Sequence, residues 1–344
     1  MGRKERIALF SEIEKKRGSK LICYITGDRT GLETKIGIDI ISIFQDILIN
    51  TEFENKPLDL LIYSTGGLGI AALSLVSLIR EYVDNFRVIV PIKAYSAATL
   101  IALGANSIFM LNSGQLSPVD VNITTPFNPT TPSPNPQLIP INVEDLSGFV
   151  RFSEDVLDIK EEANKIKILE CLAEKINPLA IGAVHRARER NKKIASTLLQ
   201  YHLKDDKARI DSISDIITTG LYEHSFIISK RDARSLGLNI EENNSDMEKT
   251  IWNLFTEYST LLKMNQPYNQ ENELGDAPDK EVLLHRAIIE YKDDKNTENV
   301  LKTYSFSSKR KLVRTEILDP NLKIPLPNII ERDLESGWYV RNDI

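Results

Sequence analysis

A chain of 344 residues, 42% hydrophobic and 27% charged, holds enough apolar material for one large domain with an extension, or for two domains. Its net charge of −6 excludes the basic surface that a nucleic-acid partner would require. The opening MGRKERIALFSEIEKKRGSK has no apolar h-region, no run approaches the length of a membrane span, and Cys23 and Cys171 have neither metal-ligand nor framework spacing. These features predict no signal peptide, no integral membrane segment, no metal site and a reducing, cytoplasmic setting.

Residues 20–27 (KLICYITG) read as a short buried strand, and 36–50 as a helix with apolar residues at helical spacing. The apolar run 58–64 stops at Thr65-Gly66-Gly67 and is followed by a helix over 68–83. A strand over 86–94, a helix over 96–104 and a strand over 107–111 complete the pattern. Strands alternating with helices at this spacing predict βαβ units and a mostly parallel sheet, and near-continuous apolar strands predict burial on both faces. The stretch TTPFNPTTPSPNPQLIP (124–140) carries six prolines and predicts a surface loop or arm. Helices are expected at 143–160 and 161–176, then a basic helix from Asn177-Pro178 to about residue 203, and a short helix near 210–219. Residues 226–238 read as a strand turning into a helix that stops at Gly237. One amphipathic helix is expected at 247–263, with strands in VLLHRAIIEY and NVLKTYSFSS beyond it.

Three stretches carry chemistry. In YSTGGLGIAA (63–72) a glycine pair between a buried strand and a helix leaves backbone N–H groups bare, which suits negative charge. The same letters satisfy Gly67-x-Gly69-x-x-Ala72 of a dinucleotide site, but the next strand ends at Lys93 with no acidic residue for a ribose. Ser96 falls at the junction of the VIVPIKA strand and the ATLIALGA helix. It reads either as an N-cap or as a nucleophile on a strand-to-helix turn, with the Ala97 N–H in an oxyanion hole. There is no G-x-S-x-G, so an ordinary α/β-hydrolase elbow is not expected. The third stretch, LNSGQLSPVDVN (111–122), reads as a strand end and a turn.

Taken together, STGG (64–67), VIVPIKAYSAATLIALGANSIFM (88–110), LSPVD (116–120), NPLAIGAVHRA (177–187) and EHSFIISKRDARSLGL (223–238) resemble the Clp-protease/crotonase superfamily. Within it they resemble the serine dehydrogenase proteinase family, relatives of signal peptide peptidase A. The resemblance spans roughly residues 5–240. It implies an α/β, Clp-protease/crotonase-like fold of repeated ββα/βαβ units, with a peptidase domain over 1–240 that carries the 124–140 insertion. Residues 241–344 form a C-terminal α+β extension, outside the resemblance, that could bind a partner, gate substrate or add core. The implied activity is a serine endopeptidase acting on peptide or protein substrates through a Ser96 acyl-enzyme, with Gly66, Gly67 and Ala97 supplying oxyanion N–H groups and no cofactor. It also implies a homo-oligomer.

A serine at its free pKa needs a base. No histidine lies between residues 96 and 184, so a Clp-type triad has no histidine in its usual place. Relatives of signal peptide peptidase A use a lysine, and Lys160 is the choice here over Lys165 and Lys167; Lys93 is expected to point elsewhere. Asp120, His185 and His224 stand in matched motifs as supporting residues, each also readable as structural, while His202 and His285 have no such context. Two further readings stay open. One is a catalytically silent interaction protein on the same fold. The other is a crotonase-like acyl-CoA enzyme, against which the lack of a carboxylate in 93–105 counts.

Overall fold

The computed structural model describes residues 2–119, 122–159, 161–204, 206–220, 226–293, 295, 301–318 and 324–344. The first half runs α1 (Arg3–Arg17), β1 (Lys20–Thr26), α2 (Ile40–Asn50), β2 (Leu58–Tyr63), α3 (Gly69–Arg80), β3 (Phe86–Val90), β4 (Lys93–Ala94), α4 (Ala97–Leu103), β5 (Ser107–Met110) and β6 (Gln115–Leu116). After β7 (Asn122–Ile123) and β8 (Ile141–Asn142) come α5 (Val143–Arg151), one turn of π-helix (Phe152–Val156), α6 (Glu162–Lys175), α7 (Pro178–Leu203) and α8 (Lys207–Asp215). A second π turn (Ile216–Gly220), β9 (Ile228–Ser229), α9 (Lys230–Ser235), α10 (Ser245–Leu261), α11 (Gln270–Leu274), β10 (Asp279–Lys292), β11 (Leu301–Leu318) and β12 (Pro325–Arg341) follow.

The main sheet has seven strands in the order β12-β11-β10-β1-β2-β3-β5. Strands β1, β2, β3 and β5 pair in parallel, as the alternating strand-helix pattern predicts. Successive side chains point to opposite faces and both faces are covered. Leu58, Leu60 and Ile62 of β2 pack with residues of α2, α3, α4 and α7, whereas Leu61 and Tyr63 pack on the other side with α1 and α10. The expected 86–94 strand is broken in two. Pro91 has no N–H to give the ladder, so β3 ends at Val90 and the chain turns into β4, which pairs in parallel with β6 of a second, three-stranded sheet.

Two parts of the chain depart from what periodicity shows. Helix α1 was not expected, because its inward face mixes apolar and charged positions: Arg6, Phe10 and Ile13 are all buried. Arg6 pairs with Glu290, which is fully buried and also accepts from Tyr258 Oη at 2.6 Å and Thr303 Oγ1 at 2.5 Å. At the other end of α1, Arg17 joins Arg87 on the fully buried Asp59, at 2.6 and 2.8 Å. The C-terminal extension continues the main sheet: β10 pairs antiparallel with β1, with Ile22 opposite Tyr291 and Tyr24 opposite Ile289. The proline-rich stretch is a mostly exposed arm whose two ends meet where Ile123 pairs with Ile141.

Candidate active site

The kink at Pro91 delivers Ser96 to the glycine pair. Beyond Tyr63, Ser64 lies alongside β4: its N–H donates to Lys93 O at 3.0 Å, and Tyr95 N–H donates to Ser64 O at 3.0 Å. Ser96 then adopts φ 51°, ψ −111°, at the N-terminus of α4. A non-glycine residue held there costs on the order of 1–3 kcal/mol and persists only where its surroundings impose it. Its hydroxyl makes no capping bond, so the N-cap reading fails. What remains is a half-buried serine on a strained strand-to-helix turn, the backbone shape of a nucleophile elbow without its flanking glycines.

Gly66 and Gly67 form the wall beside it. A Cβ on Gly66, whose φ is 108°, would lie 2.8 Å from Ser96 Cβ and 3.3 Å from Ser96 Oγ. One on Gly67 would lie 2.2 Å from Ile36 O, because Ile36 runs alongside it as a bridge. Only glycine fits either place. The three N–H groups named by the resemblance are not equivalent. That of Gly66 donates to Ser64 Oγ at 3.0 Å, and Ser64 Oγ also accepts from Thr26 Oγ1 at 2.8 Å. Those of Gly67 and Ala97 donate to no group among the described residues.

The third motif closes the turn from beneath. Ser96 N–H donates to Ser117 Oγ at 2.9 Å. Thr99 Oγ1, fully buried, lies 2.8 Å from Ala94 O and 2.9 Å from Ser117 O, and accepts Ser117 N–H at 3.2 Å. Ser117, Thr99 and Ser64 therefore hold the strained turn in place. All three lie within the sequence motifs, but a hydroxyl acting on a neighbouring backbone leaves no periodic signal that would mark its role.

Asp120, Lys160 and His224 lie outside the described residues. Lys165 and Lys167 are exposed on α6, and Lys165 pairs with Glu154 at 2.5 Å. The Lys93 ammonium is held by Asp28 at 2.8 Å. Tyr63 Oη donates to the same carboxylate at 2.8 Å; burial, then Asp28, raises the pKa of its phenol. His185 is exposed on α7, beside an apolar groove of about 430 Å³ that includes Leu146, Val150, Leu169 and Leu172. His202 contacts Leu103 O, at the far end of α4 from Ser96. His285 contacts Ser305 and Ser307 within the antiparallel strands.

Comparison with known proteins bears out the resemblance where the three motifs lie. Residues 2–133 match the family model of ClpP-like SDH-type serine proteinases. The α/β fold over these residues is accordingly ClpP-like. Two uncharacterized proteins of Methanocaldococcus jannaschii are similar over more of the chain. One is 26% identical over 281 residues, covering 78% of this chain and 85% of its own length. The other is 25% identical over 261 residues, covering 74% and 76%. Among solved structures, the membrane-bound stomatin-specific protease 1510-N shares 14% identity at a TM-score of 0.32, covering 66% of this chain and 83% of that one. A ClpP1 from Listeria monocytogenes shares 14% identity at a TM-score of 0.35, covering 69% and 99%. No helix among the described residues is long and apolar enough to cross a membrane.

Proposed function

We propose, from the match of residues 2–133 to a serine proteinase family, that this chain is a serine endopeptidase with Ser96 as its nucleophile. The observation that carries the reading is the conformation of Ser96. A positive-φ serine whose hydroxyl caps nothing, pressed against two obligatory glycines, is an arrangement that stability does not call for. Ser96 Oγ attacks the scissile carbonyl carbon and passes its proton to a base. The N–H groups of Gly67 and Ala97 receive the developing oxyanion. Gly66 supplies the flat wall that lets the carbonyl approach, its own N–H being held by Ser64. Collapse expels the amine, which takes the proton, and water then releases the acyl group.

For the base we propose a lysine, with Lys160 the first to test; the exposure of Lys165 and Lys167 favours it over both. We also propose that the chain assembles as a homo-oligomer, a reading supported by the apolar groove on α5–α7 and by the exposure of Phe152, Val156 and Ile166.

The test is labelling with a fluorophosphonate probe. The native protein should label, and Ser96→Ala should lose labelling together with about 10³-fold or more of peptide hydrolysis. Lys160→Met should lose labelling near neutral pH and regain part of it at alkaline pH. Labelling that survives in Ser96→Ala, or a folded native protein that does not label, overturns the reading. Light scattering on the labelled sample should give a multiple of 38.9 kDa; a single chain mass overturns the assembly.

A further inference from the structure

A cavity of about 550 Å³ opens at the C-terminal end of α4, the end away from Ser96. Asn106, His202 of α7, Arg209 of α8 and Arg234 of α9 line it, and no acidic residue does among those described. Arg80, in the last turn of α3, stands beside Asn106 and donates from Nη1 to its Oδ1 at 2.7 Å. Its other bonds run to Asp84 O at 2.6 Å and Gly104 O at 2.5 Å. Arg209 donates to Gly237 O from Nε at 3.1 Å and also from Nη2. Neither guanidinium has a carboxylate partner among the described residues, and both are half-buried, where an unmatched charge is costly. A helix end supplies only about half a charge, so these carbonyls satisfy the hydrogen bonds without neutralising the two cations.

The remaining groups are donors as well. Asn106 Oδ1 also accepts Phe86 N–H at 2.9 Å, so the amide is fixed by its oxygen, and its Nδ2 donates to no described group. His202 Nε2 donates to Leu103 O at 2.9 Å, which leaves Nδ1 to take up a proton when negative charge arrives. Burial first, then Arg80 and Arg209, hold the pKa of that ring down while the cavity is empty of charge. Arg234 is exposed and so is Glu242, its partner at 3.0 Å, so that pair is easily parted. Such a concentration of positive groups stands out in a chain whose net charge is −6.

We propose that this cavity binds a small phosphate monoester, its phosphate held by Arg209 and Arg234 with Asn106 Nδ2 and His202 as further donors. Two cations left without carboxylates match a dianion better than a carboxylate of single charge. The cavity is also far larger than a bare oxyanion and leaves room for the body of the ester. Helices α3 and α4, which end here, begin at Gly69 and Ala97, so the ligand stands at the opposite end of both from the glycine pair and Ser96. The proposal does not depend on the peptidase reading.

The test follows the His202 Cε1–H by nuclear magnetic resonance in the full chain, with phenyl phosphate or benzoate added at equal ionic strength; loss of the signal in His202→Gln assigns it. Phenyl phosphate should shift the signal saturably, raise its titration midpoint, and bind about tenfold or more tighter than benzoate. Arg209→Gln should weaken phenyl phosphate about tenfold. Arg234→Gln should weaken it about threefold and, because Arg234 is exposed, leave the melting temperature unchanged, so that this loss is not one of folding. Ser96→Ala should bind as the native protein does. A signal that phenyl phosphate does not shift saturably overturns the site, as do benzoate binding equally well, an affinity that neither arginine substitution changes, and a shift that Ser96→Ala abolishes.

Discussion

A methyl group on residue 66 would stand 2.8 Å from Ser96 Cβ, and the φ of 108° there already disfavours any side chain. Gly66→Ala should therefore displace Ser96 as well as strain the loop. We expect kcat/KM for a peptide substrate to fall about 10²-fold, the loss that a misplacement of about 1 Å brings, in protein that still melts cooperatively. An unchanged kcat/KM would remove Ser96 from the mechanism. A second residue-scale expectation concerns His202. Burial lowers its pKa below the ordinary 6.5, reinforced by Arg80 and Arg209 and opposed by the Leu103 carbonyl. The folded state thus prefers the neutral ring. The stabilisation is present above pH 6.5 and is lost as pH falls toward the lowered folded value. Urea unfolding at pH 7.5 and 5 should show that loss, at most about 1.4 kcal/mol per pH unit from one histidine, and His202→Gln should remove its share. At this scale the strand-to-helix turn at Ser96 and the glycine pair beside it are legible, because STGG and YSA keep their spacing in the letters. The hydroxyls of Ser64, Ser117 and Thr99 are not, since their roles depend on contacts with the backbone of neighbouring segments.

Among the elements, β4 shows how a local rule builds the site. Pro91 ends β3, and the two residues of β4 carry the chain from the main sheet to the small one. The sequence shows the proline but not that the strand beyond it has changed partners. Helix α1 shows the opposite failure. Arg6 and Arg17 read as surface charges, and only the tertiary structure supplies the buried Glu290 and Asp59 they face. Asp59 is the sharper case, held by Arg17, Arg87 and Ser19 Oγ with no exposure of its own. Asp59→Ala would leave two guanidinium groups largely buried without their carboxylate. We expect a loss of about 3–5 kcal/mol in denaturant unfolding, the usual result of breaking a buried pair from one side. A loss under about 1 kcal/mol would mean that Glu241, which also bonds Arg17 at 3.0 Å, carries the charge alone. Strand β12 escaped notice because most of its residues are exposed and the register slips between Lys309 and Arg310, so no alternation survives in the letters.

For the whole molecule, the parallel half was legible from strand-helix alternation, whereas the union of residues 241–344 with it was not. Antiparallel pairing between segments at opposite ends of a chain has no local signature. The structure makes that union intimate: β10 completes the sheet beside β1, α10 packs with α1, and Arg6 reaches both Glu290 and Ile344 O. A chain ended at residue 240 would bare the apolar face that α10 covers and the edge of β1. We expect it to be insoluble or molten, with little near-ultraviolet circular dichroism; a well-folded 1–240 product would show that the extension is an independent unit. The same pairing has a temporal side. During synthesis, Ile22 and Tyr24 emerge long before their antiparallel partners Tyr291 and Ile289 are made. The half that carries Ser96 therefore waits, with one strand edge open, until β10 has been made before its sheet can close. Whatever activity this protein has thus begins only after β10 has been added to that edge.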